Sequence, residues 1–525
     1  MRRKSFRTAS APAFAVALAI TLTILAGLPA AAQDLQSFEA RTTVHKLPNG
    51  WTFLLVERPV APVVSFVTLA DVGSAQEVTG ITGLAHMFEH MAFKGSERIG
   101  TRDYPAEQKA LEELEAAYQA YQAERLAPRP DAQKLARLQA DFQARQKAAA
   151  DLVRENEMDD VIAREGGVDL NAQTGTDWTE FYLSLPSNKL ELFAFLESER
   201  FYEPVFREFY EERDVVQEER RMNLESQPVG RLFEQIVAAA YQAHPYHHRG
   251  IGHMSDLQSL TITDARAFFD KYYAPSNLVT AIVGDIKAQE LIPLIDRYFG
   301  RIPARPTPEP LRTVEPPQIA EKTLVIEDVS QPIYLEAYHR PAFTHPDQPA
   351  YQAIDDILVN GRTSRLYRAL VRDKKLAVQA ESLPDLPGRK YPFLWIPIVV
   401  PAYGVSNEQV QAALHQELER LTREDVTDQE LARFKARAKA DLLRSLNSNL
   451  GLATQLVEYH QLFGDWRELF RSIDRLDRVT KADVRRVAGE MLQQSNRTVG
   501  MIVTRPEEAA PAAAPSGATG ARRDR

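Results

Sequence analysis

Six prolines lie close together near the middle of this 525-residue chain, at positions 303, 306, 308, 310, 316 and 317. Each proline removes a backbone N–H donor and restricts φ, so a segment this rich in proline forms neither a helix nor a central strand. We therefore expect residues 301–320 to be a semi-rigid linker. Because 525 residues exceed what one core usually holds, the linker predicts two domains, residues 36–300 and residues 321–505.

The chain on either side of this linker carries a related pattern. The same three residue types recur 219 residues apart, at Thr261, Asp264 and Asn277 and again at Thr480, Asp483 and Asn496. In both places the threonine suits the start of a helix, and that helix leads into a β-branched strand. Three matches could arise by chance, but the shared order of elements favours a duplicated domain.

The first 32 residues have the layout of a secretory signal peptide. Four basic residues precede an apolar run, and the small residues Ala30 and Ala32 flank the expected cleavage point. We expect residues 1–32 to be removed and the protein to be exported, as a periplasmic or secreted protein. An uncleaved membrane anchor is the alternative, but the apolar run is short for a span. The tail, residues 506–525, is rich in alanine, proline and glycine and is expected to be disordered.

Charge and cysteine content exclude several classes of function. The net charge is −9, and it becomes −13 for a chain without the first 32 residues, which carry four basic side chains and no acidic one. This acidity argues against nucleic acid as a partner. After cleavage of the signal, no segment is long and apolar enough to span a membrane. There is no cysteine, so disulfides, thiolate nucleophiles and cysteine metal ligands are all excluded.

A helical hairpin is predicted within the first domain, over residues 105–154. Its composition shifts to alanine, glutamate, glutamine, lysine and arginine, and its apolar residues recur at steps of three and four on both sides of a short proline-containing break. We expect two helices whose apolar stripes pack on each other, with the charges forming a solvated outer face. The hairpin is then a peripheral insertion.

The clearest chemical motif is His86-Met87-Phe88-Glu89-His90, an HxxEH pattern. Residues four apart lie on one face of a helix, so His86 and His90 can reach one metal ion while Glu89 lies beside it. This order inverts the commoner HExxH and is a recognised zinc-peptidase signature. The alternative is that His86 and His90 are ordinary helix residues that bind no metal. A catalytic zinc site usually takes a third protein ligand, and Glu211, Glu212, Glu218 and Glu219 all qualify on local sequence alone.

Three segments together resemble the pitrilysin and insulinase family of zinc peptidases, in particular its bacterial branch that is similar to the mitochondrial processing peptidase subunits. They are residues 71–96, which contain the HxxEH pattern, residues 171–181 and residues 212–219. The resemblance implies Zn²⁺, one per chain, held by His86, His90 and Glu219. It also implies that Glu89 is the catalytic base and that Glu212 supports the site. The separation of His90 from Glu219 is longer than usual in the family, and the predicted hairpin accounts for the excess.

The resemblance further implies the fold and the substrate. The fold is α+β, with two related domains that each have an antiparallel sheet flanked by helices, and only the first keeps the metal ligands. Asn171 and Ala172 resemble an edge strand beside the metal that pairs with an extended substrate. The implied activity is endopeptidase cleavage of peptides or unfolded segments inside a chamber. His244, His247, His248 and His253 could suggest a second metal site, but their loop resembles a structural loop of the family.

The sequence leaves two alternative functions to consider, and it lacks two residues that hold the substrate in the family. A catalytically silent subunit that binds peptides or supports a partner is one rival, although silent relatives commonly lose some of the four key residues. A structural zinc protein is the other, but it has no use for Glu89. The family's substrate-holding arginine and tyrosine fall on Val371 and Val378 here. We therefore expect a homodimer or a heterodimer with a related subunit to supply that function, unless Arg372 or Tyr367 replaces it.

Overall fold

The computed structural model describes residues 35–505, so the predicted signal peptide and tail lie outside the described residues. The strands are β1 Thr42–Lys46, β2 Thr52–Glu57, β3 Val63–Ala70, β4 Val168–Thr174, β5 Thr179–Pro186, β6 Leu278–Gly284, β7 Lys322–Asp328, β8 Ile333–Arg340, β9 Ala377–Leu386, β10 Phe393–Pro401 and β11 Arg497–Thr504.

The α-helices before the proline-rich segment are α1 Leu35–Glu39, α2 Leu84–Met91, α3 Tyr104–Arg125, α4 Ala132–Ala150, α5 Glu157–Arg164, α6 Leu190–Tyr202, α7 Phe209–Arg220, α8 Pro228–Ala240, α9 Met254–Leu257, α10 Ile262–Tyr272 and α11 Ala288–Phe299. Those after it are α12 Gln348–Val359, α13 Asn407–Arg423, α14 Asp428–Ser445, α15 Asn449–Phe463, α16 Glu468–Arg478 and α17 Lys481–Met491. No helix within residues 35–505 has the length and apolar character needed to cross a bilayer.

Two sheets share one topology. The first has the order β1-β2-β6-β3-β5-β4 and the second the order β7-β11-β8-β10-β9. Without β1, each strand of the first sheet corresponds in chain order to one strand of the second. The sheets are antiparallel except for one parallel pair in each, β2 with β6 and β7 with β11. The predicted α+β fold with two related domains is confirmed, and the parallel pair is a feature that the sequence did not reveal.

The three repeated residues form the same hydrogen bonds in both halves. Thr261 and Asp264 form a reciprocal capping box at the start of α10, as Thr480 and Asp483 do at the start of α17. A side-chain amide then holds the chain beyond each helix. Asn277 Nδ2 donates to the carbonyl oxygens of Tyr272 and Asp71, and Asn496 Nδ2 donates to those of Met491 and His339. The shared pattern therefore reflects a shared way of joining a helix to the central strand.

Each sheet packs on its own helices with one face and on a helix of the other half with its second face. Helix α15 covers the second face of the first sheet, where Leu456 and Val457 meet Val67 and Ala281. Helix α8 covers the second face of the second sheet, where Leu232 and Ile236 meet Leu335 and Ile502. A Cβ at Gly500 of β11 would lie 2.5 Å from Ile236 Cδ1, so the absence of a side chain at Gly500 allows α8 to approach β11 closely.

The predicted hairpin is present as α3 and α4, but one expectation about it is wrong. Its apolar residues do not pack only on each other, because Leu114 and Tyr118 belong to the core of the first half. The Glu107 carboxylate also forms a buried ion pair with Arg207, at 2.7 Å. Tyr210, on α7, donates its hydroxyl to Glu115. Helix α3 is therefore an integral part of the first half.

Candidate active site

Helix α2 carries the HxxEH motif and begins at a sharp turn. Gly83, the residue before the helix, has φ of +95°, a value that favours glycine. The buried Glu77 carboxylate accepts hydrogen bonds from the backbone N–H groups of Gly83 and Ala85, both at 2.8 Å. These bonds satisfy donors that a helix start otherwise leaves unpaired. Sequence reasoning missed Glu77, although it lies inside the segment that carries the family resemblance.

The apolar side of α2 faces the core, and its polar side carries the motif. Leu84, Ala85, Met87, Phe88 and Met91 are buried. The two histidines are partly exposed, and their ring centroids are 5.0 Å apart with the ring planes nearly perpendicular. The helical spacing predicted from the sequence therefore sets both imidazoles beside one point in space.

Helix α7 brings a glutamate to the same point. Glu219 Oε2 lies 3.6 Å from His86 Nε2 and 3.8 Å from His90 Nε2. One donor atom from each of these residues lies within 4.8 Å of the others, and within the described part of the chain no other set of three His, Asp or Glu side chains meets that test. Burial, and next the nearby His90, lowers the pKa of His86 to about 4, so its imidazole is neutral at neutral pH.

A row of charged groups orients His90. Its Nδ1 lies 3.1 Å from Glu212 Oε2, and Lys94 Nζ lies 2.6 Å from Glu212 Oε1 and 3.0 Å from Glu208 Oε2. Burial raises the pKa of Glu212, but the hydrogen bonds from His90 and Lys94 outweigh it and lower that pKa to about 2. An ionised Glu212 favours a proton on Nδ1 of His90, which leaves Nε2 free to bind a metal. Lys94 was not identified from the sequence.

Glu89 lies on the same helix between the two histidines and faces β4. Burial raises the pKa of its carboxyl, and hydrogen bonds with Thr174 partly oppose that shift. Thr174 is the last residue of β4, so it links the position of Glu89 to the sheet edge. This carboxyl therefore lies close to the group of His86, His90 and Glu219 without being one of its three members.

Strand β4 is the outermost strand of the first sheet and pairs only with β5 in that sheet. Asn171 is exposed and Ala172 is buried. The Ala172 backbone N–H donates to the Asn171 side chain at 2.8 Å. A peptide that paired with β4 at this point would have to replace that bond.

A cavity of about 340 Å³ opens beside His86 and Glu219 and is lined by residues of both halves. From the first half it includes His86, Glu219, Thr174, Arg249 and Ile251. The second half contributes Leu386 and Pro387. A hydrogen bond from Thr176 Oγ1 to the Pro387 carbonyl, at 2.7 Å, connects the halves at this wall.

The histidine-rich loop is structural. His248 Nε2 lies 3.3 Å from Glu77 Oε2, which supports the carboxylate that caps α2. His244 Nδ1 accepts from the Tyr246 N–H, and the Tyr246 hydroxyl donates to Asp177 at 2.6 Å. Asp177 also accepts from the backbone N–H of Arg389, in the second half. The loop therefore fixes the motif helix and the contact between halves.

The position of the family's tyrosine, Val378, and the two residues considered as substitutes, Arg372 and Tyr367, lie outside the cavity lining. Val378, on β9, is 61% exposed. Arg372 pairs with the neighbouring Asp373 at 2.6 Å, and the Tyr367 hydroxyl accepts from Arg362. None of these side chains lines the 340 Å³ cavity. Neither Arg372 nor Tyr367 therefore contributes to the cavity beside His86 and Glu219.

Comparison with known proteins identifies the family. The sequence model described as "Insulinase (Peptidase family M16)" matches residues 52–124 and 150–252, and the one described as "Peptidase M16 inactive domain" matches residues 259–438. The stretch between the two parts of the first match, residues 125–149, contains most of α4. Helix α3 therefore lies almost entirely within the family match.

Individual relatives cover most of the chain. Zinc protease PqqE of Helicobacter pylori is 30% identical over 410 residues, which are 76% of this chain and 78% of that protein. The probable mitochondrial-processing peptidase subunit beta of Schizosaccharomyces pombe is 25% identical over 88% of this chain and 91% of its own length. A crystal structure of a protease from Helicobacter pylori superimposes with a TM-score of 0.73 at 26% identity, covering 88% of this chain and 99% of that one. The chain belongs to the pitrilysin and insulinase family, peptidase family M16.

Proposed function

We propose that this protein is a zinc-dependent endopeptidase that hydrolyses peptides or unfolded polypeptide segments. The observation that carries the proposal is the grouping of His86, His90 and Glu219, with donor atoms within 4.8 Å of one another. Glu89 lies on the same helix and supplies a carboxylate next to that group. A structural metal site would need a fourth protein ligand and no base.

The donor set fits zinc, one ion per chain. Imidazole nitrogen and carboxylate oxygen are both common zinc ligands, and three protein ligands leave one position open, as in catalytic sites. The neutral state of His86 and the hydrogen bond between His90 Nδ1 and Glu212 both suit metal ligation. When bound, zinc supplies Lewis-acid chemistry, making a water more acidic and a peptide carbonyl more electrophilic.

The protein's own residues would transfer protons, orient His90 and bind the substrate. Glu89 takes the proton from the attacking water and later gives it to the leaving amine, a role that suits a carboxyl whose pKa is raised by burial. Glu212 keeps His90 in the right tautomer. Asn171 and Ala172, on the open edge of β4, would pair with the backbone of an extended substrate. Most backbone groups of a folded protein are already paired, so this mode of binding favours peptides and unfolded segments as substrates.

We propose the same organisation of the chain that the sequence predicts. Residues 36–300 would form the metal-binding domain, residues 301–320 the linker and residues 321–505 a related domain without zinc ligands. The placement of β1–β6 before the proline-rich segment and β7–β11 after it supports these limits. The signal-like residues 1–32 support export, and the net negative charge disfavours nucleic acid as a partner.

A second subunit is part of the proposal. The cavity beside the ligand set has no contribution from Val371 or Val378, where the family's arginine and tyrosine would lie. The S. pombe relative, which this chain matches along 91% of its length, is named as a subunit. We therefore propose a homodimer, or a heterodimer with a related chain. Sizing of the purified protein tests this, and a fully active monomer would contradict it.

Chelation and restoration of the metal test the proposed activity. The purified protein should hold about one zinc per chain and cleave an unstructured peptide, with products identified by mass spectrometry. A chelator should abolish cleavage, and added zinc should restore it. A zinc-loaded protein that binds the peptide but leaves it intact, alone and mixed with related exported chains, would favour the silent-subunit alternative.

A further inference from the structure

Arg249 lines the same cavity as His86 and Glu219. It lies in the loop between the turn Pro245–His247 and α9, and its side chain is partly exposed. Within residues 35–505 its guanidinium has neither an ion-pair partner within 4.0 Å nor a hydrogen bond. An arginine that is partly desolvated and has no carboxylate partner is uncommon, because its charge is then poorly compensated.

A neighbouring arginine explains why Arg249 is left without a partner. Arg220 pairs with Glu234 at 2.8 Å and with Glu225 at 3.2 Å, and it also donates to the Gly252 carbonyl. Burial is the main cause that lowers the pKa of Arg249; the charge of Glu234 opposes that shift, and the charge of Arg220 adds to it. Glu234, the acid whose charge acts on Arg249, is therefore already engaged by Arg220.

Among the residues that line the cavity, Glu219 is the only one with a carboxylate. His248 is held by Glu77, and Glu219 belongs to the metal-ligand set. Leu224, Ile251 and Leu386 give the cavity an apolar wall. A cationic group beside an apolar wall and next to the ligand set is suited to an anionic group brought in by the substrate.

We propose that Arg249 binds a carboxylate of the peptide substrate close to the bond that is cut. The inference rests on the proposed peptidase function and adds the substrate class. The carboxylate belongs either to an aspartate or glutamate side chain or to the C-terminus of a short peptide. A planar guanidinium can hold either group through two parallel hydrogen bonds, which gives both affinity and orientation. Arg249 is then a residue that determines specificity, not a catalytic one.

Matched peptides test the proposal. One pair differs only by glutamate or glutamine next to the cleavage site, and a second pair differs only by a free or amidated C-terminus. The wild-type protein should prefer one acidic member over its neutral partner in kcat/KM, and the pair that responds identifies the source of the carboxylate. Arg249→Gln should lower that preference by roughly 10- to 100-fold, the worth of a charge-assisted hydrogen bond.

Three further variants separate specificity from other effects. Arg249→Lys should keep part of the preference because it keeps the charge, and Arg249→Glu should favour a lysine-containing peptide. Arg423→Gln, on the surface of α13, is the matched control and should change nothing. Cleavage of the neutral peptides should be the same in wild type and Arg249→Gln. If those peptides lose as much kcat/KM as the acidic ones, Arg249 does not select a carboxylate and the proposal is wrong.

A binding measurement distinguishes failure of this inference from failure of the proposed function. Fluorescence anisotropy of the same labelled peptides with a Glu89→Gln protein requires no cleavage. Tighter binding of the acidic peptide, lost on adding Arg249→Gln, supports the inference even if the wild-type protein proves inactive. Equal binding of acidic and neutral peptides, together with equal cleavage, overturns the inference and leaves the peptidase proposal intact.

Discussion

The two halves of the molecule share one sheet topology and differ in the residues that occupy the candidate site. Helices α6, α7, α8 and α10 of the first half recur in the second as α13, α14, α15 and α17, at offsets of 217 to 221 residues, close to the 219 that relates Thr261 to Thr480. Helices α7 and α14, for example, begin at Phe209 and Asp428. With that offset, Glu212 and Glu219 correspond to Leu431 and Ala438. Both of these residues pack against the core of the second half.

The motif helix shows the same contrast. Helices α2 and α12 each follow the corresponding central strand, and they end at Met91 and Val359. Counting back from those ends, the three motif positions correspond to Ile354, Ile357 and Leu358, which are all fully buried. One frame is thus stable with either polar or apolar residues at these positions. The candidate metal site is an addition to the fold and is not needed to form it.

The largest effect should come from giving the first half the residue of the second. Glu219→Ala removes a proposed ligand, so the variant should lose most of its zinc and nearly all turnover, by about three orders of magnitude or more. Zinc content by mass spectrometry and peptide cleavage measure this. Glu218→Ala is the control, because Glu218 is exposed and pairs with Arg221. If Glu218→Ala is the variant that loses zinc, the ligand is misassigned by one residue.

The hairpin is a second difference between the halves. Removing the buried ion pair between Glu107 and Arg207 tests whether α3 contributes to the stability of the first half. Glu107→Gln leaves the buried guanidinium of Arg207 without a carboxylate and should lower the free energy of unfolding by about 3–5 kcal/mol. Denaturant unfolding measures the change. Glu112→Gln, an exposed position on the same helix, should cost little. Equal stability of the two variants would mean that α3 is peripheral after all.

The contact between the halves should respond to pH through Glu180. This buried residue of β5 faces α15, and burial followed by the nearby Glu458 raises its pKa to about 7. Because the folded state holds this proton more tightly than the unfolded state, stability falls as pH rises from about 4.5 to 7.

Glu180→Gln cannot ionise, so it should be more stable than wild type at pH 8 by up to about 3 kcal/mol and nearly equal at pH 4.5. Unfolding curves at both pH values measure the difference. Glu381→Gln, exposed on β9, should show no such dependence on pH. A wild-type protein whose stability rises between pH 5 and 7 relative to Glu180→Gln would show that Glu180 is ionised in the folded state.

The smallest effect should come from replacing Lys94, which forms an ion pair with Glu212. Lys94→Met removes the partner that keeps Glu212 in place, and it should weaken zinc binding or turnover by roughly 10- to 100-fold while the fold persists. Competition with a coloured chelator measures the zinc affinity. Lys109→Met, on the exposed side of α3, is the control. Unchanged affinity in Lys94→Met would show that Glu212 orients His90 without help.

The structural features that could be predicted from the sequence are those that depend on the spacing of nearby residues. The HxxEH motif, the capping residues Thr261 and Thr480 and the proline-rich segment all act within a few residues, so their consequences could be predicted. Assigning Glu219 among four neighbouring glutamates relied on family resemblance, because helix geometry alone does not say which one faces α2.

Long-range packing could not be predicted. The burial of Tyr118 against α7, the exchange of α8 and α15 between the sheets, and the capping of α2 by Glu77 all join residues far apart in the chain. Each depends on how complete elements meet, and no periodicity within a single element encodes that. Arg249 could not be identified from the sequence for the same reason, because only the three-dimensional structure shows that its guanidinium has no ion-pair partner.

The most direct test of the central claim is the zinc content and turnover of Glu89→Gln. Glu89 is proposed to transfer protons and not to bind the metal, so this variant should hold about one zinc per chain and lose turnover by roughly 10²- to 10⁴-fold or more. A Glu89→Gln protein that cleaves peptides as fast as wild type, or one that has lost its zinc, would contradict the account.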